Sequence, residues 1–210
     1  PHGTHTSWYS NGEKKLVSNY LDGEKHGPWI DYHENGQKSW EGNFNKGLKE
    51  GAASKWDKNG LDVWEGNFKD DVKHGPWIDY YENGQKSWEG NFKDDVKHGP
   101  WIDYHENGQK SWEGNFNKGL EEGAASKWDK NGLKVWEGNL KDDVKHGPWI
   151  DYYKSGQKML EGEYRDGQPH GTHTSWYSNG EKKLVSNYLD GEKHGPWIDY
   201  HENGQKSWEG

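Results

Sequence analysis

Seven histidines stand in register along the chain: His2, His26, His74, His98, His146, His170 and His194, each followed by a glycine. Two histidines and a carboxylate make a metal site when they converge on one ion. Successive histidines here are separated by one constant stretch of chain or by a multiple of it. If each such stretch is two strands, successive copies lie ~10 Å or more apart, too far to share an ion. The simpler reading is a turn residue that hydrogen-bonds where a strand begins. The acidic pairs Asp70-Asp71, Asp94-Asp95 and Asp142-Asp143 carry oxygen ligands of the kind calcium takes. Lysines among them, Lys69 and Lys73, favour solvated turns whose charges keep a sheet soluble. Asp31 and Glu41 have the chemistry of a general acid and base. They recur in most copies of the pattern, however, and an active site has no reason to be repeated along an array. No nucleophile, phosphate cradle or cofactor fingerprint accompanies them. The expectation is no enzyme, no metal and no cofactor.

One further set could bind a ligand: Trp29, Trp77, Trp101, Trp149 and Trp197. An exposed aromatic row can stack on sugars or hold quaternary ammonium groups. Equally, such a row on a thin sheet can pack against a second sheet or chain, because exposed apolar rows seek cover. Both readings stay open.

The elements that position these residues follow from a repeat. Glycine recurs without slippage at Gly3, Gly27, Gly51, Gly75, Gly99, Gly123, Gly147, Gly171 and Gly195, a strict 24-residue period. A fixed period of this size marks a repeat architecture. Residues 1–42 and 169–210 are identical, so the sequence that begins at Pro1 begins again at Pro169, seven repeats on. The chain thus reads as one continuous array over 1–210, about nine repeats, sampled from something longer; a duplicated gene fragment is the alternative.

Within one repeat, a first strand over roughly 29–33 and a second over roughly 37–44 flank Glu34-Asn35-Gly36. Asparagine-glycine between aromatic runs is a hairpin signal. It recurs, among others, at Asn83-Gly84 and Asn107-Gly108. Two registers are open. A two-residue turn sets Tyr32 opposite Ser39, whereas a three-residue loop ending in a left-handed glycine sets Tyr32 opposite Lys38. The hydrophobic pattern chooses between them, because a one-residue slip flips every side chain. The three-residue loop gathers Ile30, Tyr32, Trp40, Gly42 and Phe44 on one face. The same structural aromatic face is expected to hold Trp56, Trp64, Trp88, Trp112, Trp128 and Trp136. Gly42 would leave bare backbone for a ring to lie across. All 15 tryptophans fall on three positions of the repeat, those of Trp29, Tyr32 and Trp40, and never fill the first two together. Ala53 accompanies Trp56, and Ala125 accompanies Trp128.

Composition agrees with a thin aromatic sheet. Hydrophobic residues make up 28%, but there are 15 Trp and 12 Tyr. These bury large areas while keeping polar handles. A net charge of -9 speaks against nucleic acid. No apolar run approaches the ~20 residues of a membrane span. There is no cysteine, hence no disulfide.

The run from His26 to Phe44, H-G-x-W-x-x-Y-x-x-N-G-x-K-x-x-E-G-x-F, resembles the MORN repeat variant, found in YwqK-type antitoxins. The likeness covers essentially the whole chain. It implies an elongated single-layer sheet of hairpins that serves as a scaffold or binding surface. A weaker likeness, through Trp29, Tyr32, Asn35 and Gly36, is to choline- and glucan-binding repeats.

The fold expected is therefore all-β: tandem 24-residue hairpins in an elongated, twisted antiparallel single-layer sheet or open β-solenoid. The function expected is the repeating body of a filament that self-associates, extracellular or at the cell surface, with a cytoplasmic location as the alternative. A binding module for carbohydrate or a protein partner, antitoxin-like or scaffold, is the other reading.

Overall fold

The computed structural model describes residues 1–210. The chain divides into two compact units, Pro1–Gly108 and Gln109–Gly210. No helix is long and apolar enough to cross a membrane. The first unit holds β1 (Gly3–Trp8), β2 (Lys14–Leu21), β3 (Glu24–Lys25), β4 (Gly27–Tyr32), β5 (Lys38–Asn45), β6 (Leu48–Lys49), β7 (Gly51–Trp56), β8 (Asp62–Lys69), β9 (Val72–Tyr80), β10 (Lys86–Lys93) and β11 (Val96–Tyr104). The second holds β12 (Lys110–Asn117), β13 (Leu120–Glu121), β14 (Gly123–Trp128), β15 (Lys134–Lys141), β16 (Val144–Tyr152), β17 (Lys158–Arg165), β18 (Gln168–Trp176), β19 (Lys182–Leu189), β20 (Glu192–Tyr200) and β21 (Lys206–Glu209). In each unit, strands adjacent in sequence pair antiparallel, as in β4 with β5, β8 with β9 and β9 with β10, or β15 with β16 and β16 with β17. Tandem hairpins therefore build an open antiparallel sheet within each unit.

The Asn-Gly loop has the three-residue form. The Gly36 N–H donates to the His33 carbonyl at 2.9 Å, and the His33 N–H donates to the Gln37 carbonyl at 2.8 Å. Gly36 is left-handed at φ 84, a conformation that costs glycine nothing. Tyr32 then stands opposite Lys38.

One step further the register departs from the expectation. A β-bulge at Ser39 sets Trp40 opposite Asp31, Gly42 opposite Trp29 and Phe44 opposite Gly27. The aromatic face is therefore Trp29, Asp31, Trp40, Gly42 and Phe44. Ile30 and Tyr32 fall on the other face, and Trp56 and Trp128 go with them, away from Trp64 and Trp136. The physical reason is that one extra residue reverses the alternation of everything beyond it. A ladder counted out from the loop without that bulge places the first strand wrong way up.

The strictly periodic glycine has a second bulge to itself. Trp77 faces Gly66 while Lys73 faces Phe68, so the three residues His74 to Pro76 stand against Asn67 alone. Gly75 takes φ 84 there. Two extra residues leave the alternation intact, and Lys73 stays on the face of Trp77. In the first repeat the His26 N–H donates to the Asn19 carbonyl at 2.9 Å. The Asn19 side chain donates to the Pro28 carbonyl at 2.6 Å.

The connection between hairpins is itself a tight turn with both central residues left-handed: Lys46 (φ 47) and Gly47 (φ 84), or Asp70 (φ 50) and Asp71 (φ 70). Such turns match strand twist and favour Gly, Asn and Asp. Each reaches the previous one. The Gly47 N–H donates to the Lys25 carbonyl at 2.9 Å, and the Asp71 N–H to that of Lys49 at 3.1 Å. The Asp71 carboxylate returns the contact, accepting from the Lys49 N–H at 2.7 Å. Aspartate thus carries backbone strain that glycine avoids and gains a charge-assisted bond in exchange. Asp71→Ala keeps the strain and loses the bond, and is expected to cost about 1–2 kcal/mol. Asp71→Gly is expected to cost about 1 kcal/mol less. Urea denaturation checks both; an alanine variant as stable as the glycine variant contradicts the assignment.

Candidate functional site

The aromatic face is the core. Trp77 and Trp101 are each 3% exposed and Trp149 4%, in a sheet with no second layer over it within either unit. Burial without a cover requires the ring to lie on the backbone. A β-carbon placed on Gly66 would sit 2.1 Å from Cε3 of Trp77, and one on Gly90 2.1 Å from Cε3 of Trp101. The second tryptophan of each preceding hairpin stacks on top: Trp64 on Trp77 at 4.9 Å between centroids, Trp88 on Trp101 at 4.6 Å, Trp136 on Trp149 at 4.5 Å. Phe68 meets Trp77 edge-on at 5.2 Å, and Phe92 meets Trp101 at 5.5 Å. Each geometry is one that aromatic quadrupoles favour.

Lysine closes the stack. The amine of Lys73 lies 4.3 Å from the Trp77 ring, Lys97 4.0 Å from Trp101, Lys145 4.1 Å from Trp149 and Lys193 3.7 Å from the half-buried Trp197. These are cation–π contacts whose aliphatic stems also cover the ring. On the other side the indole N–H donates to a carboxylate: Trp29 to Asp31 at 3.3 Å, Trp101 to Asp103 at 2.9 Å, Trp149 to Asp151 at 3.1 Å. Burial pushes Asp31 and Asp79 above the usual carboxylate range, opposed by the Trp29 N–H and Lys25 at the first and by the Tyr80 N–H and Lys73 at the second. Burial likewise pulls Lys145 down, opposed by Asp151. The lysine row was legible as the recurring K-H-G-P-W, but its role depends on the even bulge that brings it over the ring.

Where the ladder residue is small, the stack rearranges. Ala53 replaces the tryptophan, and Trp40 folds over Gly42 of its own strand instead, within 2.5 Å of an added β-carbon; Trp112 does the same over Gly114 beside Ala125. The volume missing at Ala53 is thus filled from Trp40. Trp56, on the opposite face, plays no part in it.

The remaining sequence candidates are placed as follows. His74 reaches Asp94 in the next connecting turn at 3.2 Å, and His146 reaches Asp166 at 3.3 Å. Glu50, at the histidine position, accepts from the Asp70 N–H at 3.2 Å. No group of three or more His, Cys, Asp or Glu is arranged to hold a metal ion. Asp31 and Glu41 are on opposite faces, Asp31 against Trp29 and Glu41 against Lys38 at 2.6 Å. Asn35 caps its own loop, accepting from the Gln37 N–H at 3.1 Å, and donates across to the Lys58 carbonyl at 2.6 Å. Asn83 makes the same pair of contacts, at 3.0 Å to Gln85 and 2.8 Å to Glu106.

The second face carries the Tyr32-position rings, half-buried except for the exposed Trp8, and a carboxylate beside each of several. Tyr80 donates to Glu65 at 2.5 Å, and Tyr152 donates to Glu137 at 2.5 Å. Burial and then the glutamate push the Tyr80 phenol up, and push that of Tyr152 up to about 12. Between strands lie shallow hollows of ≈ 240 and ≈ 270 Å³ in the first unit and ≈ 210 Å³ in the second. Pro76, Ile78, Glu89, Asn91, Pro100 and Ile102 line one of them.

Two outcomes follow. Trp101→Ala is expected to cost about 3–5 kcal/mol, whereas Trp208→Ala, at a ring 54% exposed, should cost well under half of that; equal losses in urea denaturation contradict the core assignment. A phenol raised above its unfolded value of 10.0 contributes stability that is intact below that pH and is lost as pH rises through about 12. Tyr152→Phe is therefore expected to flatten the fall in stability across that window. An unchanged slope in denaturation curves taken across it contradicts the Tyr152–Glu137 contact.

Comparison with known proteins agrees with this geometry. The model of the MORN repeat variant matches residues 25–46, 73–94, 97–118, 145–166 and 193–207, and that of the MORN repeat matches 64–76 and 161–182. Each variant match contains one of the ladder tryptophans, Trp29, Trp77, Trp101, Trp149 or Trp197, while Ala53 and Ala125 lie outside every match. No curated protein matches the chain. Among solved structures, the chain is similar to part of one titled "Crystal Structure of TcdB2-TccC3-Cdc42", at 11% identity and a TM-score of 0.25. That likeness covers 97% of this chain and 13% of the other, so the chain spans a small part of that protein's length. By the matches along its repeats, the chain belongs to the MORN repeat family, chiefly in its variant form.

Proposed function

We propose that this chain is the repeating body of an extracellular filament, a structural array and not an enzyme. Membership in the MORN repeat family makes it a repeat-built structural or binding module. The filament reading rests on one observation: the connecting turns, and most of the Asn-Gly loops, are stitched from repeat to repeat by recurring bonds. At the connecting turns, an N–H reaches the carbonyl of the preceding turn, as Gly47 to Lys25, Asp95 to Lys73 and Gly167 to Lys145. At the Asn-Gly loops, side chains reach forward. Tyr9 donates to the Tyr32 carbonyl at 2.7 Å, Asn11 to that of Glu34 at 2.7 Å, and Asn179 to that of Glu202 at 2.9 Å. Every one of these links joins neighbouring repeats, so each unit is built by nearest-neighbour contacts and repeats add without redesign. The identity of residues 1–42 with 169–210 is what such additive copying produces.

The absence of cysteine suits a secreted fibre that needs no disulfide, because neighbouring hairpins are already joined at their turns. Lys and Asp at the turn edges keep the array soluble until it associates. Negative-stain electron microscopy of the purified protein is expected to show fibres with an axial repeat, and labelling of intact cells is expected to find them outside. Monodisperse short particles at all concentrations, or protein confined to the cytoplasm, overturn the reading.

A further inference from the structure

The face opposite the tryptophan core carries an aromatic ring in every repeat without needing it for the core. In the first unit these are Trp8, Tyr32, Trp56, Tyr80 and Tyr104; in the second, Trp128, Tyr152, Trp176 and Tyr200. Trp8 is 59% exposed, and the others are half-buried. Register fixes their spacing. Each lies at the end of the first strand of its hairpin, opposite the residue at the Lys38 position, as Tyr80 opposite Lys86 and Tyr152 opposite Lys158. Within a unit the rings therefore form a row, one per two strands, ~10 Å apart.

The ground between the rings is polar, and most of its carboxylates are paired with lysine; Glu65 and Asp62 are not, so the charge left over there is negative. Lys86 pairs with Glu89 at 2.7 Å, Lys38 with Glu41 at 2.6 Å and Lys158 with Glu161 at 2.9 Å. Glu65 and Glu137 each hold a tyrosine hydroxyl. Alongside run the hollows floored by Pro76, Ile78, Pro100 and Ile102.

We propose that this face binds an extended, uncharged polysaccharide of β-linked sugars laid along the row within a unit. Three features specify the ligand. A flat ring at each step stacks on the apolar face of a pyranose. A linear polymer with a two-sugar repeat of similar length to the ring spacing meets every ring in the same way. Carboxylates matched by lysines offer hydrogen bonds to hydroxyls, and the unmatched Glu65 and Asp62 leave only negative charge, so a sulfated or phosphorylated polymer gains nothing there and meets a chain of net charge -9. The tryptophan ladder of the other face cannot serve this purpose, because its rings lie against the backbone and under lysine.

Co-sedimentation of the full chain with microcrystalline cellulose and with chitin, in low and high salt, tests the proposal, with heparin as the anionic control. Binding to at least one of the two neutral polymers, retained in high salt, is expected. Replacing Trp56, Tyr80 and Tyr104 together with leucine keeps apolar volume for folding and removes the flat rings; it is expected to weaken binding at least about tenfold, roughly 1.4 kcal/mol. Tyr80→Phe with Tyr104→Phe keeps the rings and is expected to retain most of the binding. Near-ultraviolet circular dichroism, which reports the tryptophan stacks, shows whether each variant keeps the core. Failure of the wild type on both neutral polymers, binding to heparin alone, or full binding by the folded triple leucine variant would each overturn the proposal.

Discussion

A sheet one layer thick must bury its aromatic rings without a second layer to bury them against. Here the solution is to lay each ring flat on the backbone of a neighbouring strand, and the rest of the structure depends on that contact. It requires a small residue beneath the ring: glycine under Trp77, Trp101 and Trp149, as Gly90 lies beneath Trp101, and serine opposite Trp197, at Ser186. Indoles supply enough area for a core where aliphatic residues are scarce. The outer side of the ring then needs its own cover, which the stacked Trp88 and the Lys97 stem provide. The adaptability of the arrangement is visible at Ala53, where a ring from the same side of the sheet moves over its own Gly42 and the packing closes again.

The two bulges serve this contact. The single-residue bulge near the Asn-Gly loop turns Trp29 and Trp40 onto a common face. The even bulge at the periodic glycine lets the strand reach the connecting turn while returning lysine to that face. Its extra backbone groups are met by one asparagine, seen at Asn19. Backbone irregularity is thus built into every repeat, with partners that satisfy it, as buried polar groups demand. It also separates the two faces by chemistry: aromatic rings between lysine and aspartate on one, and tyrosine, glutamate, proline and isoleucine on the other.

Much of this was legible in the residues. The period, the hairpins, the three-residue loop with left-handed Gly36 and the ring over Gly42 all follow from spacing and turn chemistry. What was not legible is the bulge at Ser39. Nothing in K-S-W distinguishes a serine that pairs from one that is looped out, and a one-residue error there exchanged Ile30 and Tyr32 for Trp29 and Asp31. The connecting turns were hidden for a related reason. Asp70-Asp71 reads as a polar link, and its tight left-handed geometry is stabilised by an acceptor one repeat away, on Lys49. The anticorrelation between positions 29 and 32 has no contact between them behind it; the ring that fills the space is Trp40, which is a tryptophan in most repeats and therefore carries no sequence signal.

The central claim is that stability is local and periodic, carried by each ring on the backbone of the neighbouring strand and passed only to adjacent repeats. Amide hydrogen exchange on the full chain, comparing wild type with Trp77→Ala, tests this most directly. Slow exchange is expected to recur once in every repeat, at the strand pairs beneath the rings. The substitution should speed exchange in β8, β9 and β10 while leaving β1 and β2 as they were. Protection without that period, or an equal loss of protection along the whole of the first unit, would contradict the account.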